Sequence, residues 1–152
     1  MSRADNPRIP LNSIIFGFGP MLPLAFAALG AWLLPPPWPM LAVRLAIIWG
    51  AMILIFVAGV RRGFGFGNPR ASTGVEIATM LAYFVPAGLA LVAPVGPIAL
   101  MLLLVGYVLV PVLDTRAARA GNAPAHFAQL RWPQMAIAIV SVAALLFYVV
   151  RV

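Results

Sequence analysis

The chain has 152 residues, of which 64% are hydrophobic and only 9% charged, against roughly 45–50% and about 25% in soluble domains. With a mean hydropathy of +1.05, this composition excludes an ordinary soluble enzyme, a disordered chain and a disulfide scaffold. The net charge of +7 comes from ten arginines, with no lysine, set against Asp5, Glu76 and Asp114. These arginines are scattered in short segments between apolar runs rather than forming a basic face interleaved with stacking aromatics, so nucleic acid is not an expected partner. The absence of cysteine excludes disulfides, thiolate metal sites and cysteine nucleophiles.

A hydrocarbon core about 30 Å thick needs about 20 apolar residues in a helix. In chain order, the first such run covers 13–34 and carries no charge. It exceeds the apolar stretch of a signal peptide and is followed by Pro35-Pro-Pro37 instead of a small-residue cleavage site, so it reads as a retained helix. The second run, 40–60, is interrupted only by Arg44, which can snorkel outward along its own stem. The charge-free stretch from Ile77 to Leu113 is too long for one span. Pro94-Val-Gly-Pro97 divides it into 77–93 and 96–113. The last span is 134–150, led by Pro133 at a helix start, where its missing N–H costs nothing. Between the fourth and fifth spans, residues 123–131 predict an interfacial amphipathic helix with Asn122 as its cap and Phe127 and Leu130 on its apolar side.

The expected fold is therefore an all-α integral membrane protein, a single bundle of about five transmembrane helices. Arg3, Arg8, Arg61, Arg62, Arg70, Arg116, Arg119 and Arg131 fall on one side, and only Arg44 and Arg151 on the other. The positive-inside rule then predicts a cytoplasmic N-terminus and a periplasmic C-terminus, in a bacterial cytoplasmic (inner) membrane. Trp32, Trp38 and Tyr148 on the outer side, and Phe64, Phe66 and Trp132 on the inner side, suit interface positions.

Three stretches resemble a known family. They are Gly17-Phe-Gly19-Pro-Met-Leu-Pro23, Phe56-Val-Ala-Gly59-Val-Arg-Arg-Gly63, and Asp114-x-Arg116-Ala-x-x-x-Gly121-x-x-Pro124 followed by Leu130-Arg131. Together they resemble the membrane family known as domain of unknown function 3429, whose mitochondrial relatives are called transmembrane protein 69. The resemblance covers roughly residues 11–150. It departs from the family pattern at Arg61 and Arg62, where the family usually has His and Trp, and at His126-Phe127, where it has two aromatics. The family carries no assigned activity; its mitochondrial branch implies an energy-transducing membrane.

Polar groups inside a bilayer are expensive and mark function. The helix interiors offer Thr79, Tyr83, Tyr107, Ser141 and Tyr148, with no Asp, Glu, Lys or His near the midplane. That counts against a proton-coupled carrier; a carrier of another kind is expected to show a polar cavity near Tyr83 or Tyr107. His126, the only histidine, reads as an interfacial loop side chain, so no metal or cofactor is expected. Gly63-Phe-Gly65-Phe-Gly67 lacks the Lys-Ser/Thr ending of a phosphate loop and reads as an interfacial loop beside arginines able to hold anionic lipid headgroups. No Ser-His-Asp order or H-E-x-x-H motif is present, so no enzyme is expected.

Glu76 and Asp114 lie at helix ends, Glu76 where the macrodipole favours an anion and Asp114 where it does not. A cytoplasmic ion-pair or lipid-contact cluster of Arg61, Arg62, Glu76, Asp114, Arg116 and Arg131 is therefore expected, tying the final loop to the loop after the second helix. Small residues one turn apart, Ala27 with Ala31, Ala46 with Gly50 and Ala78 with Ala82, predict helix-packing contacts. The expected function is that of a non-catalytic accessory or assembly subunit of a larger respiratory or photosynthetic membrane complex. Its partners would be the bilayer, anionic lipids at the cytoplasmic face and other membrane-protein subunits. A small solute or anion carrier or channel, and a membrane-embedded lipid-acting enzyme, are the alternatives.

Overall fold

The computed structural model of the chain describes residues 11–67, 73–121, 123 and 127–152, with only the backbone of Ser13, Phe127 and Ala128. Among the described residues, five helical stretches are long and apolar enough to cross a membrane, and there are no strands. The first span is bent. Helix α1 (Leu11–Phe18) passes through one 3₁₀ turn, Gly19–Met21, into α2 (Leu22–Leu33). Pro20 and Pro23 cause the bend, because neither can donate an N–H to the carbonyl four residues back. The Leu22 N–H turns to the Gly19 carbonyl instead, and the indole N–H of Trp49 donates to the Pro20 carbonyl at 2.9 Å.

Four helices uninterrupted by a 3₁₀ turn follow: α3 (Trp38–Phe66), α4 (Thr73–Val92), α5 (Pro97–Arg119) and α6 (Phe127–Arg151). They are joined into a ring in which α2 packs on α3, α3 on α4, α4 on α5, α5 on α6, and α6 back on α2, with α3 and α5 also touching across the middle. At the end of the bundle where α2 leads into α3, Trp32 closes the ring by donating to the Ala144 carbonyl at 3.2 Å and packing on Phe147 and Tyr148. Arg44 is exposed near this same end.

The helices run past the expected ends. α3 continues six residues beyond 60, taking Arg61 and Arg62 into the helix, and α5 continues to Arg119. The final helix begins at Phe127 and runs unbroken through Pro133, so a separate interfacial helix over 123–131 gives way to one long α6; residues 122 and 124–126 lie outside the described residues. The reason is pairing. A charge ends a span only when it must reach water, and Arg61, Glu76, Asp114 and Arg131 at these ends are held inside the bundle, whereas Arg116 and Arg119 lie exposed on the last turns of α5.

In lipid there is no hydrophobic force between helices, so packing and interhelical hydrogen bonds hold them. Ala31, Ala46 and Gly50 are buried as expected, and Ala27 and Ala82 lie against the core. Ala78, by contrast, is exposed. The inner face of α4 is set by Glu76, Thr79, Tyr83, Ala87 and Ala90, and a residue two positions from Glu76 points about 200° away from it at about 100° per residue. The glycine against which a neighbouring side chain packs most tightly is one the sequence did not single out. On Gly106 of α5, a Cβ would run into Leu54 Cδ2 of α3, with Pro86 Cγ 3.5 Å away. Next to it, the Tyr107 hydroxyl donates to the Gly50 carbonyl at 2.7 Å.

Magnitudes rank these two contacts. Overpacking typically costs about 1–3 kcal/mol, whereas an interhelical hydrogen bond in a membrane averages about 0.6 kcal/mol. Gly106→Val is therefore expected to lower the thermal unfolding midpoint in mild detergent clearly more than Tyr107→Phe; equal midpoints would show that α3 and α5 do not rely on this close approach.

Candidate functional site

Each inner helical stripe continues past the apolar run and ends in a polar residue. On α3, Leu54 and Ala58 lead to Arg61; on α5, Tyr107 and Val110 lead to Asp114. On α4, Tyr83 leads back through Thr79 to Glu76, and on α6, Ala138 and Met135 lead back to Arg131. The 3.6-residue period thus brings four charges from four helices to one level inside the bundle.

Arg61 grips Glu76 with both ends of its guanidinium. Nη1 lies 2.7 Å from Oε2 and Nη2 donates to Oε1 at 2.9 Å, the fork geometry that makes arginine–carboxylate pairs strong. The Nε of Arg61 lies 3.7 Å from Oδ1 of Asp114. Asp114 is held from two further sides, by the Tyr83 hydroxyl donating to Oδ1 at 2.9 Å and by Arg131 Nε at 2.9 Å from Oδ2. Arg131 then donates to Gln134 Oε1 at 3.1 Å, and Gln134 Nε2 donates to the Gly17 carbonyl at 2.8 Å. One connected path therefore ties α4, α3, α5, α6 and α1.

Exposure across this path runs from 0% at Asp114 to 7% at Arg131. Two arginines and two carboxylates cancel in formal charge, which is what allows burial: an isolated ion there costs several kcal/mol. Glu76 also sits in the first turn of α4, where the helix dipole favours it. Asp114 sits near the C-terminal end of α5, against the dipole, and its three partners offset that.

Of the expected cluster, Arg61, Glu76, Asp114 and Arg131 come together. Arg62 is half-buried with its guanidinium 4.2 Å from the Phe66 ring centroid, and Arg116 is exposed, two positions round the helix from Asp114. The contacts join helix to helix rather than loop to loop. Arg70 and His126 lie outside the described residues. Tyr83 and Tyr107, where a polar cavity was the mark of a carrier, are fully buried with their hydroxyls engaged. The sequence reading missed Gln134 and the Gly17 carbonyl, and it missed Tyr83 as a partner of Asp114. The seven-residue step from Leu54 to Arg61 and from Tyr107 to Asp114 is the signal that finds the cluster. Among the described residues, no group of three or more His, Cys, Asp or Glu gathers as a metal site.

Arg131 and Gln134 have a second side. With Phe16, Gly17, Pro20, Trp49, Met52, Phe56 and neighbouring apolar residues they line a groove of about 380 Å³ between the bent first span and α3.

Five apolar spans locked by a buried ion network define a multi-pass α-helical membrane protein. The chain belongs to the family described as "Protein of unknown function (DUF3429)", which matches residues 9–147 and so contains the whole cluster. No curated protein and no solved structure matches the chain.

Removing one member of a buried pair leaves its partner's charge uncompensated, a loss of roughly 3–5 kcal/mol. Asp114→Asn is expected to lower the unfolding midpoint strongly, while Arg116→Ala, at an exposed site, changes stability by no more than about 0.5 kcal/mol. A double-mutant cycle on Arg61→Met and Glu76→Met should show the pair costing less than the sum of the singles; additive losses would mean the two side chains do not depend on each other.

Proposed function

We propose that the protein is a non-catalytic accessory or assembly subunit of a larger complex in the bacterial cytoplasmic membrane, with respiratory and photosynthetic complexes the assemblies to test first. The observation that carries this reading is the way the interior spends its polar groups. Arg61, Glu76, Asp114 and Arg131 neutralise one another, and the Tyr83 and Tyr107 hydroxyls bond across helices. Thr79 and Ser141 donate to carbonyls of their own helices, at Val75 and Ile137. Apart from the Thr115 hydroxyl, which is buried on α5 without a hydrogen-bond partner among the described residues, these polar groups hold the bundle in one shape, and its outer faces are what it offers to other molecules.

One outer face suits a neighbouring helix. A groove of about 540 Å³ between α2 and α3 is walled by Ala27, Gly30, Ala42 and Ala46 under the larger Phe26 and Trp49. Small residues of this kind let a second helix approach closely, where van der Waals contact supplies the association. A carrier running through the bundle would have to part the Arg61–Glu76 and Arg131–Asp114 pairs in each cycle, which weighs against that alternative.

The test is to purify the tagged protein from its own membranes in mild detergent, identify proteins present in fixed ratio, and record a visible absorption spectrum. Co-purification of another membrane protein in constant ratio, lost with Ala42→Trp while the unfolding midpoint holds, supports the reading. A partner-free protein that conducts solute in liposomes overturns it.

A further inference from the structure

The groove beside Arg131 differs from the one between α2 and α3 in having a polar end, and its dimensions identify an occupant. Helix α3 has 29 residues, about 43 Å at 1.5 Å per residue. Centred on a hydrocarbon core of about 30 Å, it overshoots by about 6 Å at each end. Arg61 lies five residues before Phe66, the last residue of α3, a rise of about 7 Å. With α3 centred in this way Arg61 lies at the edge of the hydrocarbon core, and Arg131, which shares Asp114 with it, lies near the same level, where lipid esters meet acyl chains.

From that level the groove runs inward along α3 from Val60 to Trp49. Eleven residues of helix rise about 16 Å, close to the half-thickness of about 15 Å that one leaflet's chains occupy. Phe16, Met52 and Phe56 on its walls are exposed to the side, so it is reached from the bilayer. Its polar wall residues, Arg131 and Gln134, are both more than nine-tenths buried. Arg131 is engaged with Asp114 and Gln134, and Gln134 with the Gly17 carbonyl; a guanidinium carries five N–H groups and an amide two, so each can share a donor with an ester or phosphate oxygen at that depth.

We propose that this groove is a lipid site that holds one acyl chain of a bilayer glycerophospholipid, with ester or phosphate oxygens at Arg131 and Gln134. The chain fills the space that the bent first span leaves beside α3. Because Asp114 already offsets the charge of Arg131, the site selects for depth and chain rather than for headgroup charge. It stands independently of any protein partner.

The full chain is reconstituted in vesicles of phosphatidylethanolamine and phosphatidylglycerol containing a phospholipid with a photoreactive acyl chain, and labelled residues are mapped by mass spectrometry. Lipid retained by the detergent-purified protein is weighed by native mass spectrometry. Expected are labels on Met52, Phe56 and Val57 about tenfold above those on Val140, which is exposed on α6, and one phospholipid retained per chain. Val60→Trp, which crowds the polar end, should abolish both signals with the unfolding midpoint unchanged; should that variant misfold, Gln134→Met should reduce retention about tenfold. Labels spread evenly between the groove and Val140 overturn the proposal. So does a retained isoprenoid quinone in place of phospholipid, and so does retention indifferent to both substitutions.

Discussion

Charge cancellation inside a low-dielectric bundle is the constraint on which this structure depends. A lone arginine or carboxylate buried at this depth costs several kcal/mol, so none of the four cluster residues is tolerable there without the others. Arg61 needs Glu76, Asp114 needs Arg131, and the 3.7 Å approach of Arg61 to Asp114 couples the pairs. Since each residue comes from a different helix, the requirement to neutralise charge becomes a requirement on helix positions. Apolar packing in a bilayer is permissive about rotation, because lipid tails are as apolar as the helices they surround. A bidentate Arg61–Glu76 fork is not permissive, and it fixes the rotation of α3 against α4.

The same constraint explains how much of the molecule is legible in its sequence. The five spans are, because long uncharged runs leave little else for the chain to do in water. Their ends are not. A hydropathy count stops at each charge and so places boundaries at 60, 77 and 113, each one residue from Arg61, Glu76 or Asp114, while the start at 134, set by Pro133, falls three residues after Arg131. Three of the four counted boundaries are cluster residues. Sequence reasoning reads such residues as the point where the chain reaches water, since it sees a charge and not its partner. Glu76 and Asp114 could be suspected of pairing from their places on the helix dipoles, but which arginines answer them depends on rotation. Arg61 and Arg62 are adjacent and chemically equal; only the inner stripe through Leu54 and Ala58 selects Arg61.

Packing was legible to a similar degree. Small-residue spacing found Ala31, Ala46 and Gly50, yet it treats every pair one turn apart alike and so included Ala78, which lies on the outer face of α4. It overlooked Gly106, which has no small partner one turn away on its own helix and whose importance comes from Leu54 on another. A contact between helices distant in sequence leaves no local trace in either.

The bend in the first span links the cluster to the groove. Pro20 and Pro23 remove two N–H donors within one turn and let α1 diverge from the line of α2. Left to itself, such a hinge would flex, and the space beside α3 would have no fixed width. Two hydrogen bonds hold it open to a set degree: Trp49 on α3 reaches the Pro20 carbonyl, and Gln134 on α6 reaches the Gly17 carbonyl. Gln134 is in turn oriented by Arg131, and Arg131 by Asp114. The buried charges thereby set the orientation of α3, α4, α5 and α6, and through one amide they also set the width of the groove between the bent span and α3.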